Sequence, residues 1–256
     1  MVERRIYFGG TKMKIEFYST IPAVKEMFPI TESKKSIPEW VSLAKSDYME
    51  DKEAQNIFRC PGIMDLFATG FTVYAWHDIE IGTAKDGHLS AYSPTADMED
   101  MLGYPSIQVQ GGDSIAKRLP KRPWSHPDIL KINTPWHIVA PKGIKFMIIP
   151  ITYTDKLQFE ANIGILDPSV SNEINIQGYV QAFGTLKAGT PIAQIVPLSS
   201  DSCELLVRDM TEHDVKWVHK KKFLNNFSFI FNRKKVKESY NAHYEKKCPF
   251  HNLWSK

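Results

Sequence analysis

The chain has 256 residues, of which 43% are hydrophobic and 12% aromatic, enough for one sizeable core and too many for a disordered protein. Its apolar runs, such as Phe146 to Ile151, fall far short of the roughly 20 residues that cross a bilayer. The net charge of +3 is unevenly placed: residues 216–256 carry 11 basic and 2 acidic residues, net +9, and the rest carries 21 and 27, net −6.

Residues 1–12 read as a leader with no apolar stretch after Arg4 and Arg5, unlike a signal peptide. Cys60, Cys203 and Cys248 are odd in number and widely spaced, so neither a disulfide framework nor a Cys-x-x-Cys knuckle is expected. These features point to a reduced protein that is not secreted and has no transmembrane segment.

Lys14 to Tyr18 alternates as a strand does, and Pro38-Glu-Trp-Val41 suits a helix start. Asp47 to Gln55 reads as a loop or surface helix, and Ile63 to Phe67 as one helical turn after the Cys60-Pro-Gly62 turn. Gly70 to Ile81 reads as a strand pair or one bent strand, followed by a Lys85-Asp-Gly87 hairpin turn and a return strand over His88 to Tyr92. Ser106 to Gln110 alternates, and Pro120 to Pro127 is a basic loop. From Thr134 to Leu198 a series of short strands is spaced as in a sandwich or barrel: Trp136 to Val139, Ile144 to Ile151, Phe159 to Leu166, Glu173 to Gln181, Gly184 to Leu186 and Pro191 to Pro197. The β core is therefore placed at residues 13–200 and a basic helical extension at 201–256. In that extension Thr211-Glu-His-Asp214 resembles a capping box, and imperfect helical spacing runs on from Val215.

Four motifs occur in order: Pro141-Lys-Gly143, Ile148-Ile-Pro150, Gly164-Ile-Leu-Asp167 and Gly189-Thr-Pro-Ile-Ala-Gln194. This series, about a quarter of the chain, resembles the dUTPase and dCTP deaminase fold. The resemblance implies a mainly β, jelly-roll-like sandwich or barrel, left-handed turns at Gly143 and Gly189, and a homo-oligomer, commonly a trimer. It also implies a water-activating role for Asp167 and a Mg²⁺-bound deoxynucleotide. The family's phosphate-binding Arg-Ser pair is replaced by Ile151-Thr-Tyr153, its base-stacking aromatic by Val170, and its glycine-rich C-terminal segment by the basic extension. A second resemblance, carried by Ile15-Glu-Phe-Tyr18, Ile37-Pro-Glu-Trp40, Cys60-Pro61 and Asn133-Thr-Pro-Trp136, is to uncharacterised proteins of marine bacteriophages, cyanophages especially.

Three functional readings stand. In the first, the chain is a non-enzymatic phage protein of virion structure or assembly, placed in a host cytoplasm or a virion, with no cofactor. Its basic extension would contact nucleic acid, an acidic partner or a neighbouring subunit through Lys220, Lys221, Lys222, Arg233, Lys234 and Lys235. In the second it binds or hydrolyses deoxynucleotides through Asp167. In the third, His126-Pro-Asp128 with a distal His213, His137 or His219 forms a two-histidine, one-carboxylate iron site. His243, Cys248 and His251 have a loose zinc-like spacing, and His77-Asp78 reads as a surface pair. Phe8-Gly-Gly10 and Gly111-Gly112 lack the Lys-Ser/Thr of a phosphate loop.

Overall fold

A computed structural model describes residues 12–53, 55–95, 98–154, 157–226 and 233–245. In chain order these form β1 (Met13–Ser19), α1 (Pro22–Met27), β2 (Thr31–Glu32), α2 (Glu39–Glu50), α3 (Pro61–Ala68), β3 (Phe71–Tyr74), β4 (Ile79–Thr83) and β5 (Leu89–Tyr92). Next come α4 (Met98–Leu102), β6 (Ile107–Gln110), β7 (Ile129–Val139), β8 (Phe146–Ile149), β9 (Phe159–Ala161), β10 (Gly164–Leu166) and β11 (Glu173–Val180). The chain then forms β12 (Gly184–Leu186), β13 (Pro191–Pro197), β14 (Cys203–Asp209), α5 (Glu212–Asn226) and α6 (Arg233–Tyr244). The fold is mainly β, as the short alternating runs predict.

One sheet has the order β14–β1–β7–β11–β9, with β6 also on β7; a second has the order β10–β8–β13–β3–β2; β12, β4 and β5 make a third. Alternation decides which faces meet. Ile15 and Phe17 of β1 and Ile132, Trp136 and Ile138 of β7 point inward to join Phe71, Val73, Phe146, Ile192 and Ile195 of the second sheet in one apolar cluster. Phe17 meets Phe71 edge to face at 5.1 Å, so the two sheets pack on a shared core.

Trp136 to Val139 is the end of a longer strand, because β7 runs through Pro135. Proline cannot donate to a ladder, and here the register slips: Glu173 faces His137, yet Asn175 faces Asn133. Thr134 repairs the gap. Its hydroxyl donates to the Ile174 carbonyl at 2.6 Å and accepts from the Trp136 amide at 3.2 Å. Gly143 and Gly189 have φ of 86° and 82°, the left-handed turns that the motifs imply.

The boundary at residue 200 needs correction. Cys203–Asp209 is not part of a helical extension but an edge strand of the large sheet, parallel to β1 from Met13↔Cys203 to Ser19↔Asp209. Its only sequence signal was a short alternation, and its partner lies 190 residues away in the chain, as Met13 does from Cys203. His77 also departs from expectation: it is 3% exposed, with Nδ1 2.8 Å from the Asp78 carbonyl. The expected leader, apart from Lys12, lies outside the described residues.

Thr134→Val keeps the shape and removes the hydroxyl. Leaving the Ile174 carbonyl and Trp136 amide unpaired in the core costs about 1–3 kcal/mol, measured by urea unfolding, and Thr134→Ser retains most of the stability.

Candidate functional site

The densest set of buried ionisable groups lies on the outer face of the large sheet, beneath α5 and α6. Strand alternation turns Glu16 and Tyr18 of β1, His137 of β7 and Arg208 of β14 to that face, opposite the core. Thr211 and Asp214 form a reciprocal capping box at the start of α5: the Thr211 amide donates to Asp214 Oδ2 at 2.8 Å, and the Asp214 amide to Thr211 Oγ1 at 3.3 Å. This expectation is met, and it aims Asp214 at the sheet.

Arg208 occupies the centre. Its Nε donates to Glu16 at 2.7 Å, its two terminal nitrogens reach Asp214 at 2.6 and 3.1 Å, and its guanidinium lies 5.1 Å from the Tyr18 ring centroid. Burial opposes ionisation of Asp214, but the bonds from Arg208 and Thr211 outweigh it and hold the carboxyl at about 2. Tyr244 of α6 donates to Asp214 at 3.1 Å and lies 3.3 Å from the Tyr18 hydroxyl. Asn172 donates to Tyr18 at 3.3 Å and accepts from the Trp217 indole at 3.1 Å. His137 stacks on Tyr18 with ring centroids 4.9 Å apart and planes within 7°. Its burial pushes the imidazole down to about 4, so it is neutral at pH 7.

Lys221, expected to stand on a basic binding surface, is instead 3% exposed. It lies on the inner side of α5, one turn after Trp217, where its ammonium is 3.3 Å from Glu173 and 3.3 Å from the Ser171 hydroxyl. Burial pushes the ammonium down, and Glu173 offsets that push; Lys221 in turn lowers the Glu173 carboxyl against its own burial. Lys220, Lys222, Arg233, Lys234 and Lys235 are exposed.

Asp167 closes the turn after β10. It accepts from the Ser169 amide at 3.1 Å and from the Ser169 hydroxyl, and Lys237 of α6 lies 3.3 Å from its other oxygen. Its carbonyl also accepts from the amides of Val170 and Ser171 at 2.9 and 3.0 Å. Its carboxylate thus serves as a turn residue and as a tether for α6.

The structure does not assemble His126, Asp128 and His213. Asp128 is 2% exposed and accepts from the amides of Leu89 and Gly112 at 2.8 and 2.6 Å, with His88 Nδ1 at 3.1 Å. His126 Nδ1 accepts from the Asp128 amide, and its Nε2 faces the Gly87 carbonyl at 3.2 Å. His213 stacks on His243 at 3.7 Å, and each donates through Nε2 to the other's carbonyl at 2.8 Å. Among the described residues no three His, Cys, Asp or Glu side chains are placed to hold a metal ion. The expected iron site is therefore a structural pin joining β5, the Gly111-Gly112 turn and β7. Cys248 and His251 lie outside the described residues. A cleft of about 420 Å³ between β5 and α4, lined by Tyr92, Glu99, Asp100 and Ser106, holds none of the residues that the sequence singles out.

The chemistry of the site is that of a clamp. Each charge at its centre meets an opposite charge, and the groups that sequence reasoning missed (Arg208, Tyr18, Asn172, Glu173, Lys237) come from separate elements. Thr211 and Asp214, as the two halves of a capping box, were the members with a local signal.

Asp214→Ala leaves Arg208 half-paired and costs about 3 kcal/mol. Hydrogen exchange then accelerates in α5 and α6 ahead of β7 and β11. A second outcome concerns acid. The folded pKa of His137 lies at about 4, below the ordinary 6.5, so the unfolded chain binds more protons between those values. Stability is full above pH 6.5 and falls as pH drops toward 4, by up to roughly 3 kcal/mol from this residue. Urea midpoints at about pH 7.5 and about pH 5 measure the loss, which shrinks in His137→Phe.

No helix among the described residues is long and apolar enough to cross a membrane. No protein-family model, curated protein or solved structure matches this chain.

Proposed function

We propose that this chain is a non-enzymatic β-sandwich subunit of a bacteriophage that associates with further copies of itself in virion structure or assembly. The phage origin rests on the resemblance of the opening motifs, and the subunit role on the open edge of the second sheet. β10 pairs with β8 on one side, and among the described residues no strand pairs with its other side. Ile163 and Ile165 beside and within it are 71% and 60% exposed. Register places Ile165 beside Met147, and Met147 beside Val196, in one apolar row on the outer face. Free backbone donors and acceptors next to an apolar row suit the addition of a strand from another molecule. A second copy offers the same edge and the same row, which makes the contact self-complementary. The resemblance of the Pro141 to Gln194 motifs to the jelly-roll-like dUTPase fold agrees with this reading, since that fold commonly assembles.

Asp167 supports the same conclusion from the chemical side. Its oxygens are engaged by Ser169 and Lys237, so activating a water would require breaking a tether of α6.

Sedimentation velocity at micromolar concentration is expected to show an oligomer that Ile165→Asp reduces to monomer with an unchanged circular dichroism spectrum. A wild-type protein that stays monomeric and fails to associate with virion components overturns the proposal. Heat on titration with dUTP or dCTP and Mg²⁺, lost in Asp167→Asn, favours a nucleotide-binding role instead.

A further inference from the structure

The two C-terminal helices run antiparallel, because His213 meets His243 and Trp217 meets Tyr240 at 5.3 Å. Residues after Trp217 on α5 and residues before Tyr240 on α6 therefore share one end of the pair, opposite the stacked histidines. That end carries Lys220 and Lys222 from α5 and Arg233, Lys234 and Lys235 from α6, all exposed.

Two carboxylates beneath the helix pair are already taken. Glu173 is bound by the buried Lys221, and Asp167 by Lys237. Glu245 is bound by Lys142 and belongs to the other end of α6, near the histidines. Among the described residues no carboxylate forms an ion pair with any of the five exposed cations. Glu238, on α6, is the sole acidic residue of 216–244. Phe223, between these two groups of cations in the chain, is 63% exposed.

Five unpaired cations held on a docked helix pair repel one another. The structure keeps them fixed: the helices that carry them are clamped to the sheet by Arg208, Lys221 and Lys237. A ligand with several closely spaced anions removes that repulsion and releases its own counterions. An exposed aromatic ring among cations adds a surface on which a base stacks, a feature without value for a carboxylate-rich protein.

We propose that this end of the α5–α6 pair is a nucleic-acid binding surface that contacts the phosphate backbone without reading sequence. Lys220, Lys222, Arg233, Lys234 and Lys235 neutralise phosphates, and Phe223 stacks on an unpaired base. Single-stranded nucleic acid is the preferred ligand, because only its bases are free to stack. The proposal rests on residues of α5 and α6 and does not depend on the β10 edge.

The test is fluorescence anisotropy of the full chain with a labelled mixed-sequence DNA strand of roughly 30 nucleotides and with the corresponding duplex. Binding is expected at about 50 mM salt, weakening roughly 100-fold by about 200 mM. The variant with Lys220, Lys222, Arg233, Lys234 and Lys235 all changed to Gln loses that binding and flattens its salt dependence. Lys85→Gln, an exposed cation of the hairpin turn, binds as wild type does. Phe223→Ala weakens the single strand several-fold and leaves the duplex unchanged. Circular dichroism and a thermal melt verify that each variant is folded. Absence of binding at about 50 mM salt, or binding that survives the five-fold substitution, overturns the proposal. Equal affinity for polyglutamate and DNA overturns it in favour of an acidic protein partner. Because Ile165→Asp leaves these cations in place, a monomer that still binds DNA separates this surface from the assembly reading.

Discussion

Arg208 stands between Glu16 on β1 and Asp214 on α5, and much of the outer architecture depends on those bonds. Charge that is removed from water must be matched in place, and removing one partner costs far more than the pair contributes. The edge strand β14, the helix start at Thr211 and the central strand β1 are thereby held in one arrangement. Tyr18, Asn172, Trp217 and Tyr244 add neutral hydrogen bonds around the same point. Lys221 with Glu173 and Lys237 with Asp167 repeat the device further along the helices.

The clamp also sorts the lopsided charge of the chain. Some cations of the C-terminal segment are turned inward to neutralise acids of the β body. Among the described residues, Lys220, Lys222, Arg233, Lys234 and Lys235 stay exposed toward one end of the helix pair. A sequence that looks like a uniformly basic arm becomes a folded layer with a concentrated positive end. The apolar sides of the two helices meet each other, through Trp217, Val236 and Tyr240.

The two main sheets treat their outer faces differently. The large sheet is covered in part by its own helices, where Glu16, Tyr18 and Arg208 of its outer face are bonded. The second sheet has α3 near Gln194, whose amide donates to the carbonyls of Leu66 and Thr69 at 2.8 and 2.5 Å. Toward β10 the same face is bare and apolar. A sheet edge with unpaired backbone groups is where association between chains begins, and natural edges are ordinarily shielded by charge, proline or a covering element. Ile163 and Ile165 provide none of these.

The sequence by itself determined the local grammar: alternation located most strands, Gly143 and Gly189 marked left-handed turns, and Thr211 with Asp214 marked a helix start. Each of these depends on neighbours within a few residues, so each is written in the order of side chains along the chain. Only the tertiary structure decided that 203–209 is a strand beside β1, since that short alternation becomes a strand through a partner far away in the chain. The fates of Lys221, Asp167, Asp128 and His77 were decided in the same way. A lysine reads alike in sequence whether it faces water or a buried glutamate, and a carboxylate reads alike whether it meets solvent or a backbone amide. What separates them is the group that folding brings within about 3 Å, and that distance is set by packing between elements remote in the chain.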